Sequence, residues 1–282
     1  MPAFFIPGRV TRGQRPNGPY QINRDFAQSL GVVAWVPMSG QGLGYDLWRG
    51  RPQVSAVTPA FASMPQHGGV APSFGANGAL VECATVTPDF GVSGTITAGS
   101  VACWVVARSS GSGTTFGRAV TVNDGQLSLV WGGADADVIF QFGGNNETGV
   151  GVVALNKPQL LVGTALQGGN RRLYTNGVLR SSTSIPTDFG SAGALYVGNL
   201  PAANRGFDGW VSDVVIANRQ WSDAEVWALY DSARFDLYWV AGRRVFFDVG
   251  AAPAFDPALF PRSYFEDLQR RRDAMIPSGR IA

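Results

Sequence analysis

The chain has 282 residues, of which 45% are hydrophobic and 15% are charged, with 37 glycines and 17 prolines. Its apolar content excludes the class of disordered chains that combine low hydrophobicity with high charge. Abundant glycine and scarce charge favour β structure with many tight turns. The formal net charge of +2 is too small to indicate a specific nucleic-acid partner.

Positive charge is concentrated at the two ends. Residues 1–30 carry four Arg and one Asp, and residues 262–282 carry five Arg and three acids, so the ends hold +3 and +2 and the middle holds −3. Proline and glycine recur through residues 1–29 without periodicity, which predicts an extended N-terminal arm. Residues 251–282 are predicted to form a C-terminal arm with a short Arg-rich helix, opened by a capping box at Ser263–Glu266.

Residues 30–250 alternate short apolar runs with clusters of turn residues, the pattern of β-strands. No helix-length segment separates consecutive runs, so the sequence predicts one antiparallel β-sandwich. Both faces of Val101–Val106 are apolar, which predicts a strand covered on both sides. The predicted strands are Val32–Val36, Leu80–Val86, Val101–Val106, Leu127–Trp131, Val138–Phe142, Leu160–Leu166, Arg172–Tyr174, Val178–Ser181, Leu195–Val197 and Trp210–Ile216.

Two local signals are specific. Asn176-Gly177 between two apolar runs predicts a two-residue β-hairpin. Ser222 and Glu225 form a capping box, and the apolar residues Val226 and Leu229 follow at helical spacing, so one short helix is predicted over residues 222–233. The aromatic-rich segment 235–247 is predicted to form a further strand or a packed return.

Cys83 and Cys103 both lie in apolar, strand-like segments. Nothing in the sequence indicates export, so buried reduced thiols are favoured over a disulfide, which remains the alternative. The one histidine, His67, lies in a turn-like stretch and is interpreted as a solvated loop residue. The apolar run at the N-terminus is too short for a secretory signal, and no segment approaches the length of a membrane span.

Six segments carry a consistent series of motifs: a Trp-Val strand pair, an L-Y-x-N-G hairpin, an L-x-I-G strand, an F-x-G-x-I-D-x-V strand and a closing L-S-x-x-E-I-x-x-L-Y helix. These segments are Val33–Met38 with Tyr45–Asp46, Val101–Val105, Arg172–Gly177, Leu195–Asn199, Phe207–Val214 and Trp221–Tyr230. In this order they resemble laminin-G-like, concanavalin A-like domains. The resemblance implies an all-β, antiparallel jelly-roll sandwich with one short C-terminal helix and extended terminal arms.

Domains of this kind often bind sugars or calcium in loops at one end of the sandwich, through Asp and Asn oxygens and an aromatic platform. The resemblance therefore implies a ligand site, and calcium as its one cofactor candidate, although no ligand cluster supports a metal. The candidate ligand-binding residues are Trp131, Asp135, Asp137, Asn145, Asn146 and Glu147. Asp213, an acid in an apolar strand, is expected to accept backbone or hydroxyl hydrogen bonds rather than to bind metal.

Catalysis is not expected. Glucanases with this sandwich carry an E-x-D-x-x-E strand motif, and none of the four glutamates here has that spacing. Asp135 and Asp137 alternate, but they follow Gly132-Gly133, which is typical of a turn. The sequence therefore predicts a non-enzymatic protein.

A sandwich of this type with Arg-bearing, Pro/Gly-rich arms resembles tailed-bacteriophage virion proteins. The resemblance implies a capsid decoration protein or a head or tail appendage, localised to the virion, that binds other virion proteins and itself through its arms. No specific nucleic acid and no membrane are expected as partners. The alternative is an adhesin that binds a host-surface glycan or receptor through its loops. The expected assembly contacts are Phe4, Phe5, Arg9, Arg12, Tyr264, Phe265, Arg270, Arg271 and Arg272.

Overall fold

The structure is a computed structural model, and part of the chain is described. The described residues are 20–22, 30–38, 43–57, 59–64, 70–75, 79–91, 94–109, 117–123, 125–132, 138–143, 145–149, 154–184, 190–200, 202, 205–231 and 238–240. All of them belong to the first of two units, Met1–Ala241 and Gly242–Ala282. The predicted C-terminal arm, most of the predicted N-terminal arm and His67 lie outside them.

The described residues form nineteen strands, one α-helix and a 3₁₀ turn at Thr87–Phe90. The helix, α1, is Asp223–Asp231. The strands are β1 Tyr20–Ile22, β2 Val32–Val36, β3 Ser55–Val57, β4 Ala60–Ser63, β5 Val70–Phe74, β6 Leu80–Glu82, β7 Thr95–Ile96, β8 Ala98–Ala107, β9 Gly117–Val122, β10 Leu127–Trp131, β11 Val138–Phe142, β12 Asn145–Gly149, β13 Gln159–Leu166, β14 Asn170–Thr175, β15 Val178–Ser184, β16 Gly190–Ser191, β17 Leu195–Val197, β18 Gly209–Ala217 and β19 Tyr238–Val240.

Two large sheets build the sandwich. The seven-stranded sheet has the order β12-β11-β10-β9-β17-β6-β3, and the eight-stranded sheet has the order β15-β14-β13-β8-β18-β5-β4, with β2 also paired to β18. Strands β1 and β19 form a two-stranded ribbon, and β7 pairs with β16. The ladders within both large sheets are antiparallel, which confirms the predicted antiparallel sandwich.

Several predicted strands have the observed bounds, including Val32–Val36, Leu127–Trp131 and Leu195–Val197. The strand predicted to continue to Val86 instead ends at Glu82. Cys83 N still bonds to Leu195 O at 2.8 Å, but the next bond runs from Val86 N to Gly193 O. Between these two bonds one strand advances by three residues, from Cys83 to Val86, and the other by two, from Leu195 to Gly193. The regular ladder therefore stops.

The central strand β8 is buried on both faces, as predicted. Val101, Cys103 and Val105 belong to the core between the two sheets. Ala102 and Trp104 belong to a second core on the opposite face of the same sheet. The remaining members of this outer core include Trp35, Leu160, Val162, Tyr174, Val215, Trp221, Val226 and Leu229.

Helix α1 covers that outer core through Val226 and Leu229, the residues of the predicted stripe. The predicted capping box is present: Glu225 accepts a hydrogen bond from Ser222 N at 2.8 Å, and Ser222 Oγ accepts one from Glu225 N at 3.3 Å. Arg219 Nη2 donates to Glu225 Oε1 at 2.5 Å. The helix ends at Asp231, and the last predicted residues, 232–233, lie outside the described part.

The predicted hairpin also forms. Asn176 and Gly177 have φ angles of 52° and 79°, and Thr175 pairs directly with Val178. Left-handed φ at both central residues is the requirement of a type I′ turn. Asn176 Oδ1 also accepts a hydrogen bond from Leu160 N at 2.9 Å, so the turn is tied to the neighbouring strand β13.

Two contacts between a glycine of one sheet and a phenylalanine of the other bring the two sheets close together. A Cβ added to Gly163 in β13 would come within 2.5 Å of Cγ and Cε2 of Phe140 in β11, and a Cβ on Gly198 would overlap the ring of Phe74 in β5. Both phenylalanines are fully buried in the inter-sheet core. Each sheet therefore places one aromatic ring in the space that a missing Cβ leaves in the other sheet.

The two cysteines are buried free thiols, which confirms the favoured interpretation over a disulfide. Both belong to the inter-sheet core. Burial raises the pKa of both thiols well above the ordinary value. Since the thiolate is the reactive form, both residues are chemically inert parts of the core.

We predict that Gly163→Ala lowers the free energy of unfolding by about 1–3 kcal/mol, the usual cost of overpacking a core, because the added methyl group displaces the Phe140 ring. Chemical denaturation followed by circular dichroism measures the change. Gly75→Ala is the matched control, since nothing lies within 4 Å of a Cβ at Gly75. Equal denaturation midpoints for the two variants would contradict the assigned contact.

The cap of α1 predicts a pH dependence. Hydrogen bonds from Arg219, followed by those from Ser222, lower the pKa of Glu225 from 4.5 to about 2, while burial acts in the opposite direction. A depressed pKa contributes stability that is fully present above pH 4.5 and is lost as the pH falls towards 2. The stability difference between the wild type and Glu225→Gln should therefore shrink over this window. Thermal melts of both chains at a series of pH values measure it, and a pH-independent difference would refute the prediction.

Candidate ligand-binding face

The two large sheets differ in their outward faces. The outward face of the eight-stranded sheet lies under α1 and the outer core, so its centre is apolar and covered. The outward face of the seven-stranded sheet instead carries polar side chains. It is therefore the sheet surface of the described chain on which a polar ligand could be recognised.

A row of polar residues crosses this face at a single register, one residue from each strand. In β17, Leu195 and Val197 belong to the inter-sheet core, so Tyr196 between them points outward. Tyr196 pairs with Thr121 on one side and with Glu82 on the other. Directly opposed residues share a face of a sheet, so the row follows from the pairings alone. Its members, which we call the polar row, are Ser55, Glu82, Tyr196, Thr121, Ser128 and Gln141.

The centre of the polar row is sealed. Thr121 and Ser128 are fully buried, their hydroxyl oxygens are 2.5 Å apart, and Thr121 Oγ1 also accepts a hydrogen bond from Gly125 N at 2.9 Å. Arg118, three residues before Thr121 in β9, donates to Gln141 Oε1. The two central hydroxyls are thus satisfied internally, and they fix the strands rather than contact a ligand.

The accessible groups flank that centre. Gln141 on one side and Tyr196 and Glu82 on the other are partly exposed, and Ser55 at the edge is exposed. Ser55 Oγ donates to Glu82 Oε2 at 3.0 Å. With strands about 4.8 Å apart, the row spans about 24 Å from β3 to β11. These groups supply an amide, a phenol, a carboxylate and a hydroxyl along one line.

Trp131 does not occupy an exposed position. It is 2% exposed, packs edge-to-face against Phe207 at 5.9 Å, and donates from Nε1 to Ser109 O at 2.9 Å. Since the ring belongs to the inter-sheet core, it offers no stacking face to a ligand. Its alternation with Leu127 and Leu129 in β10 is the sequence signal for this inward position.

The other predicted site residues are not brought together in the described structure. Asn145, Asn146 and Glu147 were expected in a loop, but their backbone forms the edge strand β12. Asn146 pairs with Gln141, so its backbone continues the register of the polar row to the seventh strand. Asp135 and Asp137 lie outside the described residues. So do all the predicted assembly contacts, namely Phe4, Phe5, Arg9, Arg12, Tyr264, Phe265, Arg270, Arg271 and Arg272.

No group of three His, Cys, Asp or Glu side chains among the described residues is arranged to hold a metal ion. Asp213 is 5% exposed and accepts a hydrogen bond from Ser212 Oγ at 3.1 Å. Its backbone N donates to Pro37 O at 3.2 Å. Asp213 thus accepts a hydroxyl hydrogen bond, as the sequence predicted.

A second polar cluster, which the sequence did not indicate, is structural. Arg51 donates to Asp46 Oδ2 at 2.7 Å and to Asp89 Oδ2 at 2.6 Å, and also reaches two backbone carbonyls. Asp46 Oδ1 accepts hydrogen bonds from the backbone N of Trp35 and Trp48. Burial opposes the charge on Arg51, but the hydrogen bonds and charges of Asp89 and Asp46 outweigh it and raise the pKa. These contacts join the loop after β2 to the 3₁₀ turn.

The fold is an antiparallel two-sheet sandwich of the concanavalin A-like type. The chain belongs to the concanavalin A-like lectin/glucanases superfamily: the sequence model of its Laminin_G_3 family matches residues 82–227, just over half of the chain. This confirms the family resemblance and the concanavalin A-like fold predicted from the sequence. Comparison of the sequence with curated proteins gives no match.

Solved structures of several kinds share the fold. Domain 4 of an extracellular arabinanase from Geobacillus stearothermophilus, in complex with arabinotriose, is 18% identical with a TM-score of 0.51, over 71% of this chain and 98% of that one. The receptor-binding domain of a botulinum neurotoxin C/D mosaic is 13% identical with a TM-score of 0.54, over 71% and 51%. A Trypanosoma rangeli sialidase in complex with sialic acid is 15% identical with a TM-score of 0.52, over 73% and 33%.

The chain therefore spans nearly all of the arabinanase domain, about half of the toxin domain and a third of the sialidase chain. At these identities the likeness shows the fold alone. No helix within the described residues has the length and hydropathy needed to cross a membrane.

Proposed function

We propose that the chain is a non-enzymatic carbohydrate-binding protein and that the polar row is its ligand site. The observation that carries the proposal is the single register that aligns Gln141, Tyr196, Glu82 and Ser55 on the outward face of one sheet. The outward face of the opposite sheet has an apolar centre that α1 covers.

The chemistry of the polar row suits a chain of sugar rings. Sugar hydroxyls both donate and accept hydrogen bonds, and the side chains of Gln141, Ser55 and Glu82 supply both donors and acceptors. Tyr196 adds an aromatic ring with a polar tip, which can pack against the apolar face of a sugar. Ser55, Glu82 and Tyr196 form an accessible line of about 10 Å, and Gln141 lies about 14 Å from Tyr196, beyond the buried Thr121 and Ser128. An extended ligand of several sugar units is long enough to contact both parts.

The solved structures that share the fold support the same ligand class. Those proteins include a domain in complex with arabinotriose and an enzyme in complex with sialic acid. Because the identities are 18% and 15%, they do not identify the ligand of this chain. They supply the first probes, an arabino-oligosaccharide and a sialic acid.

We propose binding without hydrolysis. Hydrolysis by paired carboxylates needs two acids about 5–10 Å apart on either side of the glycosidic bond. On the polar row, Glu82 is the carboxylate among the described side chains, and it already accepts a hydrogen bond from Ser55. Its partners on the row are an amide, a phenol and hydroxyls, which orient a ligand but do not supply the second acid.

The test is a glycan array that includes arabinotriose and sialylated glycans, followed by titration of the strongest ligand in a calorimeter. Gln141→Ala and Tyr196→Ala should each weaken binding by about 2–10-fold, the effect of losing one hydrogen bond or one ring contact of about 0.5–1.5 kcal/mol. Gln167→Ala, a partly exposed glutamine in the turn between β13 and β14, is the matched control. Absence of any glycan ligand, or unchanged affinity in both site variants with normal melting curves, would overturn the proposal.

A second candidate function is a bacteriophage virion structural protein that assembles, also with itself, through its terminal arms. The observation that favours it is the β1–β19 ribbon, in which Tyr20 pairs with Val240. Directly paired residues of antiparallel strands are about 5 Å apart. The segment before Tyr20 and the segment after Val240 therefore join the described structure at neighbouring residues of one ribbon.

Co-sedimentation with purified phage particles tests this function. The full chain should sediment with the particles, and deletion of residues 1–19 or of residues 253–282 should release it into the supernatant. The cooperative unfolding of the sandwich should be retained in both truncated chains, because the deletions spare the strands of both large sheets. Particle association that survives both deletions, or a full chain that never sediments, would overturn the candidate.

A further inference from the structure

Helix α1 carries an aromatic side chain that the core does not require. Val226 and Leu229 cover the outer core and are buried, whereas Trp227 is 46% exposed. An indole so exposed on a short helix leaves a large apolar surface in contact with water. That cost is explained if the exposed face serves binding.

The Trp227 indole packs against the β-hairpin turn and against Tyr230. A Cβ on Gly177 would lie 2.8 Å from Trp227 Cε3, so the ring lies against the backbone of the type I′ turn. The centroids of the Trp227 and Tyr230 rings are 5.9 Å apart, and Tyr230 stacks on the buried Trp104 at 6.1 Å. The ring is therefore supported on one side. When a ligand stacks on the other side, the Trp227 side chain loses little conformational entropy, because it is already ordered.

Charged groups of fixed orientation lie beside the indole. Asp223 precedes Trp227 by one helical turn, which places both side chains on the same side of the helix. Asp223 Oδ1 accepts hydrogen bonds from Tyr174 Oη at 2.7 Å and from Arg172 Nη1 at 2.9 Å. The side chains of Asp223 and Arg172 are 63% and 32% exposed, so a carboxylate acceptor and a guanidinium donor are both presented to solvent.

We propose that Trp227, Asp223 and Arg172 form a second carbohydrate site, separate from the polar row. One sugar ring stacks its apolar face on the indole, and its hydroxyls donate to Asp223 and accept from Arg172. Among the described residues, the exposed hydrophobic side chains of the neighbouring strand β15 are Val178 and Leu179, 45% and 41% exposed. These few side chains fall far short of the roughly 800 Å² per partner of a stable protein interface, which favours a small polar ligand.

The site shares its ligand class with the proposed function but not its residues, so the two stand or fall separately. The consequence is a chain with two sugar sites on opposite faces of one sandwich. Such a chain would bind a multivalent glycan surface more strongly than either site binds alone.

Calorimetric titration of the full chain with arabinotriose, or with the strongest ligand from the glycan array, measures the number of sites. We expect two sites in the wild type and, in Trp227→Ala, a loss of about tenfold in the affinity of one of them, equivalent to 1.4 kcal/mol, with the other unchanged. Trp227→Phe should retain most of the binding because it keeps a ring. Phe61→Ala, which removes a 42% exposed ring from β4, is the control.

The outcomes separate the two sites. A single site that is lost in Gln141→Ala but kept in Trp227→Ala overturns the helix site and leaves the polar row intact. A single site that is lost only in Trp227→Ala supports the helix site and overturns the polar row. If Trp227→Ala instead abolishes self-association while leaving every sugar titration unchanged, the exposed indole belongs to a protein interface and the proposal fails.

Discussion

The structure depends on the burial of the central strand β8 on both faces, because this requires two separate layers of side chains around one sheet. Cys103 and its inward neighbours pack against the seven-stranded sheet, while Trp104 points away from it and must be covered. The short α1 provides that cover through the buried Val226 and Leu229 and through Tyr230, which stacks on Trp104. Its position is in turn fixed by the capping contacts of Glu225 and by the hydrogen bond from Tyr174 to Asp223. The helix is thus a structural requirement of the sheet rather than an appendage.

This arrangement gives the two sheets different outward faces. The centre of the eight-stranded sheet is apolar on both faces, whereas the seven-stranded sheet carries a row of polar side chains on its outward face. There the pairing of Tyr196 with Thr121 and Glu82 collects side chains that are far apart in the sequence. Burial of the Tyr174 hydroxyl, followed by its hydrogen bond to Asp223, raises the pKa of Tyr174 to about 12. The phenol therefore remains a neutral hydrogen-bond donor to Asp223 at physiological pH.

Local chemistry in the sequence predicted much of the framework, but not the central strand β9, Gly117–Val122, or β5, Val70–Phe74. Alternation and turn residues predicted strands such as Leu127–Trp131 with their observed bounds, and Asn176-Gly177 predicted its hairpin because only a few residues accept left-handed φ twice. The polar row could not be predicted in this way. Its members follow from the register between strands that are distant in the chain, and register is set by packing in three dimensions. Short strands such as β3, whose residues are all exposed, carry no hydrophobic pattern and were missed for the same reason. Trp131 illustrates the opposite error, since its residue type suggested a platform while its alternation already indicated the core.

The packing of Phe140 against Gly163, and of Phe74 against Gly198, restricts how this sequence can change. Phe140 and Gly163 lie on different sheets, 23 positions apart, yet they occupy one shared volume. Neither residue can be replaced by a larger one alone. A side chain smaller than phenylalanine at position 140 would make room for alanine at position 163. The same holds for Phe74 and Gly198. Substitutions at these positions should therefore be inherited in pairs among related chains, and such covariation would report the distance between the sheets directly from sequences.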